Sequence, residues 1–205
     1  RNDARVLYKE VKALRQTNVF HLSATMCPTH RTVVISYIKA LLQRGEPVIV
    51  ISTQLIEAGV DIDFPVVFRA RAGLDSMIQA AGRCNREGLL PTPGLFCIFE
   101  APTPPPEGIL CKAQTALETA GVNSDNLFLP ETAARFFRAL YTVLDSDEHN
   151  IVEACSNLKF QTVSENYHLI EDDCVAVVVP WNKALEIVDN TTPGHERSRA
   201  LQRYV

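Results

Sequence analysis

The sequence predicts an α/β fold in which a parallel β-sheet is flanked by helices. Over residues 1–100, short β-branched runs alternate with segments whose apolar residues recur every three or four positions, which is typical of a parallel sheet with right-handed crossovers. Residues 47–51 form an uninterrupted apolar run. Such a run indicates a strand buried on both faces of the sheet.

Each predicted element follows from its local pattern. Apolar residues at helical spacing predict helices at residues 3–15, 28–44, 76–83, 110–120 and 131–144. Short β-branched or apolar runs predict strands at residues 18–22, 47–51, 65–69 and 95–99. Gly45 stops the second helix, because glycine favours the end of a helix.

A cluster of prolines marks the end of the sheet-forming region. Residues 91–106 hold six prolines, of which the last four follow the final predicted strand. We therefore expect a sheet domain over residues 1–105, a helical linker region over 106–150 and a small α+β C-terminal module over 151–205. Cys174–Pro180 is the β-like run of this last module.

Composition excludes several classes of protein. No apolar run approaches the roughly 18–20 residues of a membrane span, so we expect a cytoplasmic protein with no membrane partner. The six cysteines contain no Cys-x-x-Cys pair, and no metal site is expected. Residues 1–88 hold 12 Lys/Arg and 8 Asp/Glu (+4), whereas residues 89–205 hold 8 and 16 (−8), so a phosphate-bearing partner should meet the first part.

The first candidate site follows the apolar run of residues 47–51. Ser52, Thr53 and Gln54 are expected at the carboxyl end of a strand, where parallel α/β folds bind ligands. Gly59 permits close approach of the backbone to a ligand, and Asp61 is a suitable acceptor for ribose hydroxyls. Taken alone, the segment is also compatible with a plain strand and loop.

The second candidate site is an arginine-bearing segment. Gln79, Gly82, Arg83 and Arg86 share one face if the segment stays helical. Guanidinium groups remain charged and bind phosphate oxygens bidentately, and Glu87 is the only acid nearby in the sequence. Together the two segments predict a polyphosphate site.

These segments also resemble a known family. Thr53 with Gly59-Val60-Asp61, followed by Gln79-x-x-Gly82-Arg83-x-x-Arg86, resembles motifs V and VI of superfamily 2 helicases, which lie in the second of two RecA-like lobes. The amino-acid sequence of residues 21–31 and 64–88 is similar to that of the CRISPR-associated helicase-nuclease recruited by Cascade in type I immunity. Residues 160–180 and 201–204 resemble its C-terminal domain less distinctively.

The resemblance implies specific roles. Arg83 and Arg86 would be arginine fingers acting on the γ-phosphate of ATP, and Gln79 would position that phosphate or the attacking water. Gly59, Asp61 and Gly82 would contact the nucleotide. Contacts to single-stranded DNA would come from the residues Thr53, Gln54, Ser52, Ser23 and Arg31. Such phosphate contacts hold a strand without reading its bases.

Several motifs of the helicase-nuclease family do not occur in these 205 residues. The residues contain no P-loop, no acidic Walker-type motif and no adjacent His-Asp pair of the nuclease. ATP and Mg²⁺ would be bound mainly by a first helicase lobe outside this sequence, and the chain by itself is predicted to be inactive. Expected partners are single-stranded DNA, Cascade, the missing nuclease and the missing first lobe.

Two alternatives remain open at this stage. The acidic residues 107–205 could form a non-catalytic module that binds Cascade or an anti-CRISPR inhibitor. A different superfamily 2 motor, such as an RNA helicase, usually has His-Arg-x-Gly-Arg where this chain has Gln79-Ala80-Ala81-Gly82-Arg83.

Overall fold

A computed structural model describes residues 2–15, 18–57, 60–144, 147, 149–167, 177–190, 194 and 199–202. The chain forms two compact units. The first comprises residues 1–69, 79–97 and 176–205, and the second comprises residues 70–78 and 98–175. This grouping uses boundaries other than those of the predicted three-part division, which stays a prediction.

The first unit begins with a helix and a parallel pair of strands. Helix α1 (Asn2–Leu14) precedes strand β1 (Asn18–Leu22), and helix α2 (Pro28–Gln43) leads to strand β2 (Val48–Ser52). The two strands are parallel, with Asn18 opposite Val48 and Leu22 opposite Ser52. A parallel pair needs a long crossover, and α2 provides it. Gly45 has φ +70°, which lets the chain turn after α2 as predicted.

An apolar cluster joins these elements. Its buried members are Leu22, Ile38, Val60 and Ile62. They come from three segments, so packing β1, α2 and the chain after β2 together removes their side chains from water. Burial of β2 on both faces was predicted, but Ile49 remains 37% exposed because β1 is the only strand paired with β2 in the described residues.

Strands β3 (Val66–Ala70) and β4 (Leu95–Phe99) form a second pair. The Leu95 amide donates to the Pro65 carbonyl at one end, and the Arg71 amide donates to the Phe99 carbonyl at the other, so the strands run parallel. The α/β class with parallel strands and flanking helices is thus confirmed. The four strands of the described chain are divided into two pairs instead of forming one sheet.

The remaining helices lie close to their predicted positions. Helix α3 spans Leu74–Ala81, and in the second unit α4 spans Ile109–Thr119 and α5 spans Pro130–Val143. Helices α4 and α5 pack through small and apolar side chains. The buried ones are Ala113, Ala116, Leu117, Thr132, Phe136 and Leu140. Short helices α6 (Ile151–Ser156) and α7 (Phe160–Asn166) follow.

The C-terminal segment of the first unit packs against the start of α2. Ala184, at the start of helix α8 (Ala184–Asn190), is buried in one cluster with Cys27 and Leu201. The Trp181 ring stacks on His30, with 4.7 Å between ring centroids. Of the predicted β-like run, Cys174–Ala176 lie outside the described residues, and residues 177–180 form no strand. No helix among the described residues is long and apolar enough to cross a membrane.

Candidate functional site

The carboxyl edge of the β1–β2 pair brings together two hydroxyl-bearing segments. Leu22 is opposite Ser52, and the Thr53 amide donates to the Leu22 carbonyl at 3.1 Å. Residues that directly follow β1 therefore lie beside residues that directly follow β2. The sequence predicted DNA contacts from both segments, and the fold places them at one edge.

Ser23 and Thr25 occupy this edge differently. Ser23 is only 5% exposed, and its hydroxyl is hydrogen-bonded to the Thr25 hydroxyl at 3.0 Å. The Thr25 amide also donates to Ser23 Oγ at 3.3 Å, so the Ser23 side chain shapes the turn after β1. Thr25 is exposed and was not singled out from the sequence. It is the hydroxyl of this turn that faces solvent.

The three residues after Ile51 differ in their availability. Ser52 Oγ donates to the Thr53 carbonyl at 2.8 Å. Thr53 is half-buried with an extended backbone, and it precedes the single 3₁₀ turn Gln54–Ile56, in which Gln54 is exposed. Arg31 lies in the first turn of α2 and is half-buried. Their contacts to DNA stay predictions.

The sequence predicts that Arg83 and Arg86 share a helical stripe with Gln79, but in the structure they do not. Helix α3 ends at Ala81, Gly82 is in an exposed turn, and Cys84 forms a parallel bridge with Phe64. Asn85 has φ +49°, a left-handed conformation that cannot continue a right-handed helix. The segment therefore becomes a loop, and Gln79 is left exposed near the end of the helix.

Arg83 joins this loop to the turn that follows Thr53. Its Nε donates to the Ile56 carbonyl at 3.1 Å, and its Nη2 donates to the Glu57 carbonyl at 2.9 Å. The Arg83 side chain is half-buried. Two donors in the fixed geometry of one guanidinium hold two successive carbonyls, which an ammonium group cannot reproduce.

Arg86 is paired with an acid that is distant in the sequence. Its Nη1 lies 2.6 Å from Asp61 Oδ1, and both side chains are substantially exposed, at 41% and 66%. Asp63 accepts the Arg86 amide at 2.8 Å and the Glu87 amide at 3.1 Å. Glu87 is the only acid nearby in the sequence, but the fold brings two aspartates against the loop.

A half-buried ion pair anchors the same turn from the other side. Arg69 Nη2 lies 2.7 Å from Glu57 Oε1, and the side chains are only 19% and 14% exposed. Sequence analysis missed both residues, because Arg69 lies on β3 and Glu57 follows β2, with nothing local to pair them. The turn at residues 54–57 is thus held by Arg83 through its carbonyls and by Arg69 through a carboxylate.

Among the remaining predicted site residues, Asp61 has one further contact. Gly59 lies outside the described residues. Lys39 approaches the carboxylate of Asp61 at 3.8 Å, which makes Asp61 an acceptor for two cations. In the part of the chain that the structure describes, no group of three or more His, Cys, Asp or Glu side chains could hold a metal, so we assign no metal ligand there.

Cys84 lies within the arginine-bearing loop. Its thiol donates to the Pro65 carbonyl at 3.6 Å, whose oxygen also accepts the Leu95 amide. Burial raises the pKa of the Cys84 thiol above its ordinary value, and the negative charge of Asp63 acts in the same direction. The thiol is therefore kept neutral beside the loop, and it packs there as a small apolar group.

Residues 2–89 match the family model of the CRISPR-associated nuclease/helicase Cas3, C-terminal. The matched residues are 88 of the 205 in the chain, and over this region the chain is similar to the Cas3 C-terminal family. The resemblance identified from the sequence is thereby confirmed over the residues that contain the whole candidate site.

Individual Cas3 proteins resemble the chain over limited lengths. The CRISPR-associated nuclease/helicase Cas3 of Haloferax volcanii is 48% identical over 65 residues, which are 32% of this chain and 7% of that protein. The crystal structure of T. fusca Cas3 with ATP is 18% identical, with a TM-score of 0.49 over 80% of this chain and 21% of that chain.

A structure described as a CRISPR RNA-guided surveillance complex, pre-nicking, gives 17% identity and a TM-score of 0.49, covering 83% of this chain and 24% of that one. The chain therefore spans less than a quarter of the length of each of these three proteins.

Proposed function

We propose that this chain is the C-terminal helicase portion of an ATP-dependent single-stranded DNA translocase that unwinds and degrades target DNA in type I CRISPR interference. One observation carries the proposal: Arg83 connects the loop bearing the exposed Arg86 to the turn that follows Thr53. A group suited to a phosphate and a segment suited to a DNA backbone are thereby parts of one connected unit.

Arg86 is the better suited of the two arginines to act on the transferred phosphate. Its guanidinium is exposed and already holds an anionic oxygen, that of Asp61, so a phosphate oxygen can replace a carboxylate oxygen at the same group. In phosphoryl transfer, an arginine that offsets charge on the transferred group is worth roughly 10³–10⁵ in rate. Asp61, freed from Arg86, is available to accept a ribose hydroxyl.

Arg83 acts differently in this proposal. Its donors are engaged with the Ile56 and Glu57 carbonyls, so it positions the loop and the turn relative to one another. A change in the turn, such as one caused by DNA at Thr53, is then transmitted to Arg86 through Arg83. This connection offers a physical route by which DNA binding stimulates ATP turnover.

ATP and Mg²⁺ remain proposed cofactors. The cationic Arg86 and the polar Gln79 fit a polyphosphate, and Asp61 fits a ribose, whereas we assign no Mg²⁺ ligand in the described residues. The metal would be held by a first helicase lobe, together with the P-loop. Cascade, the nuclease domain and that first lobe are the partners implied by Cas3 kinship.

The test uses the full-length protein that contains both lobes. Arg86→Ala should lower DNA-stimulated ATP turnover by about 10³-fold or more while leaving DNA affinity within a few-fold, because the guanidinium serves the transition state. Thr53→Ala should instead weaken DNA binding or its coupling to turnover. Glu87→Gln is the matched control, since it alters an exposed neighbour of Arg86.

Two results would contradict the proposal. Normal DNA-stimulated turnover by Arg86→Ala would remove Arg86 from the phosphate site. Magnesium-dependent phosphate release by the 205-residue chain alone, at the rate of the full-length protein, would show that the first lobe is not needed. Phosphate release and DNA anisotropy are both measured at the same salt concentration, because DNA affinity depends on salt.

A protein-binding role is a second candidate for the second unit. Phe137 and Tyr141 on α5 are exposed and stacked, with 6.2 Å between ring centroids, and Val152 and Phe160 are also exposed. Aromatic side chains of this kind are enriched in protein interfaces. Loss of binding to Cascade or to an anti-CRISPR inhibitor in Tyr141→Ser, with ATP turnover intact, would support this role. Unchanged binding would reject it.

A further inference from the structure

One face of α1, continued by Arg15 directly after the helix, carries a row of positive charges that the proposed function does not use. Arg5, Lys9, Lys12 and Arg15 follow one another at spacings of four, three and three residues, so consecutive members are neighbours on the helix surface. All four side chains are exposed. Over about 1.5 Å per residue, the row extends for about 15 Å along the helix axis.

The charges on α1 are segregated in a way that does not favour the helix itself. The positions three and four residues from Asp3 and Glu10 within the helix hold only apolar residues. Each member of the row instead has a like charge as its neighbour, which destabilises an isolated helix. Among the described residues, none of the four cations belongs to an ion pair. A local arrangement that opposes stability is expected where function requires it.

Tyr8 ties this face to the sheet and orients one of its charges. Its ring lies 5.6 Å from the His21 ring on β1, measured between centroids. The Lys12 ammonium donates to the Tyr8 hydroxyl at 2.9 Å and lies 5.3 Å from the Tyr8 ring centroid. His21 Nδ1 lies 3.0 Å from the Ile51 carbonyl of β2. The helix that carries the row therefore contacts β1 through Tyr8 and His21, and His21 in turn contacts β2.

The row fits a phosphate backbone better than it fits a protein surface. Four positive charges spread along about 15 Å of one helix face can neutralise successive phosphates of a single strand and release their counterions. Protein interfaces are depleted of charge at their centre and enriched in aromatic side chains there. The row has four charges and a half-buried tyrosine, and the exposed apolar residues Val6 and Leu14 lie elsewhere on the helix.

We propose that the basic face of α1, formed by Arg5, Lys9, Lys12 and Arg15, binds the phosphate backbone of single-stranded DNA. This surface is separate in sequence from Thr53 and from the Arg86 loop. The inference rests on the DNA-binding part of the proposed function. It adds a contact that holds the strand electrostatically, without reading its bases and without touching the nucleotide.

The test replaces all four cations by glutamine in the 205-residue chain and measures binding of oligo(dT) by fluorescence anisotropy. For single strands, each phosphate contact contributes about 0.7 to the slope of log affinity against log salt, so four lost contacts lower the slope by about 2.8. When the salt concentration is raised from 50 to 200 mM, the fold-loss of affinity in the variant should therefore be smaller than the fold-loss in the wild-type chain by a factor of up to about 50.

A matched control separates this effect from net charge. Lys112→Gln, Arg138→Gln, Lys159→Gln and Lys183→Gln together remove the same four charges from exposed positions elsewhere, and their slope should match the wild-type value. The α1 variant should keep its helical circular dichroism, and its melting temperature should change little, because the exposed Lys12–Tyr8 contact that it loses is offset by the removal of like-charge neighbours. Lys9→Gln with Lys12→Gln provides a milder variant with half the change in slope.

The outcomes are distinct. An unchanged slope in a folded α1 variant overturns this inference alone, while Arg86→Ala in the full-length protein tests the motor separately. An equal loss in the control variant shows a general charge effect and also overturns it. If polyglutamate displaced the oligonucleotide at equal charge, the face would be assigned to an acidic protein partner. If the α1 variant lost affinity for duplex DNA only, the face would be assigned to a duplex. No salt-dependent binding by the wild-type chain would contradict both proposals.

Discussion

Replacing Arg83 should destabilise the fold, whereas replacing Arg86 should scarcely do so. Arg83 is half-buried and donates to two carbonyls, at 3.1 Å to Ile56 and 2.9 Å to Glu57. Hydrogen bonds to a charged group are worth about 1.5–3 kcal/mol each, and discounting them for partial exposure leaves about 2–3 kcal/mol for the two. Arg86 is in an exposed ion pair with Asp61, which is worth about 0.2–1 kcal/mol.

The assay is unfolding of the Arg83→Ala and Arg86→Ala variants in urea and on heating. For chains of about 150–250 residues, 1 kcal/mol shifts the melting temperature by roughly 2–4 °C, so Arg83→Ala should lose about 4–12 °C and Arg86→Ala at most about 4 °C. Arg83→Lys should fall between wild type and Arg83→Ala, because an ammonium group cannot hold both carbonyls. Equal losses in the two alanine variants, or a larger loss for Arg86→Ala, would refute the division of roles.

Three further predictions, two from substitutions and one from a thiol reaction rate, concern the surroundings of this loop. Glu57→Gln should lower the free energy of unfolding by about 2–4 kcal/mol, measured in urea, because it leaves a half-buried guanidinium without its carboxylate. Gly94→Ala should cost about 1–3 kcal/mol, since an added Cβ would lie 2.6 Å from Cys84 Sγ, while Gly194→Ala, whose added Cβ meets no atom of the described residues within 4 Å, serves as a control. Because the pKa of the Cys84 thiol is raised, little of it is ionised at pH 8, and iodoacetamide should alkylate Cys84 more slowly than the exposed Cys111, as measured by mass spectrometry. The free energy of unfolding contributed by the neutral thiol should decline as the pH rises above the ordinary pKa of 9.0. Equal alkylation rates, a benign Gly94→Ala or an unaffected Glu57→Gln would each contradict the corresponding contact.

Much of the order of elements could be predicted from local pattern. Strands β1 and β4 begin and end at the predicted residues, and most other elements lie within two residues of their predicted bounds. This success has a simple cause. Apolar periodicity, Gly45 and the prolines act through nearest neighbours, and nearest neighbours are visible in a sequence.

Local pattern was misleading where the chain is shaped by partners distant in sequence. Helical spacing placed Gln79, Arg83 and Arg86 on one stripe, but Asp63 binds the amides of Arg86 and Glu87, and Asn85 adopts a left-handed conformation. These interactions replace the hydrogen bonds that another helical turn would have made. The predicted burial of Ile49 likewise depended on a neighbouring strand that β2 lacks in the described residues.

The sequence by itself determined the α/β class, the two motifs and the resemblance to a known family, because these depend on residue type and spacing along the chain. Only the tertiary structure decided that Arg83 clamps the Ile56 and Glu57 carbonyls while Arg86 stays exposed beside Asp61. The two arginines are chemically identical and three residues apart. Their difference arises from burial and from acceptors some 25 residues away in the chain, and these are properties that exist only after folding.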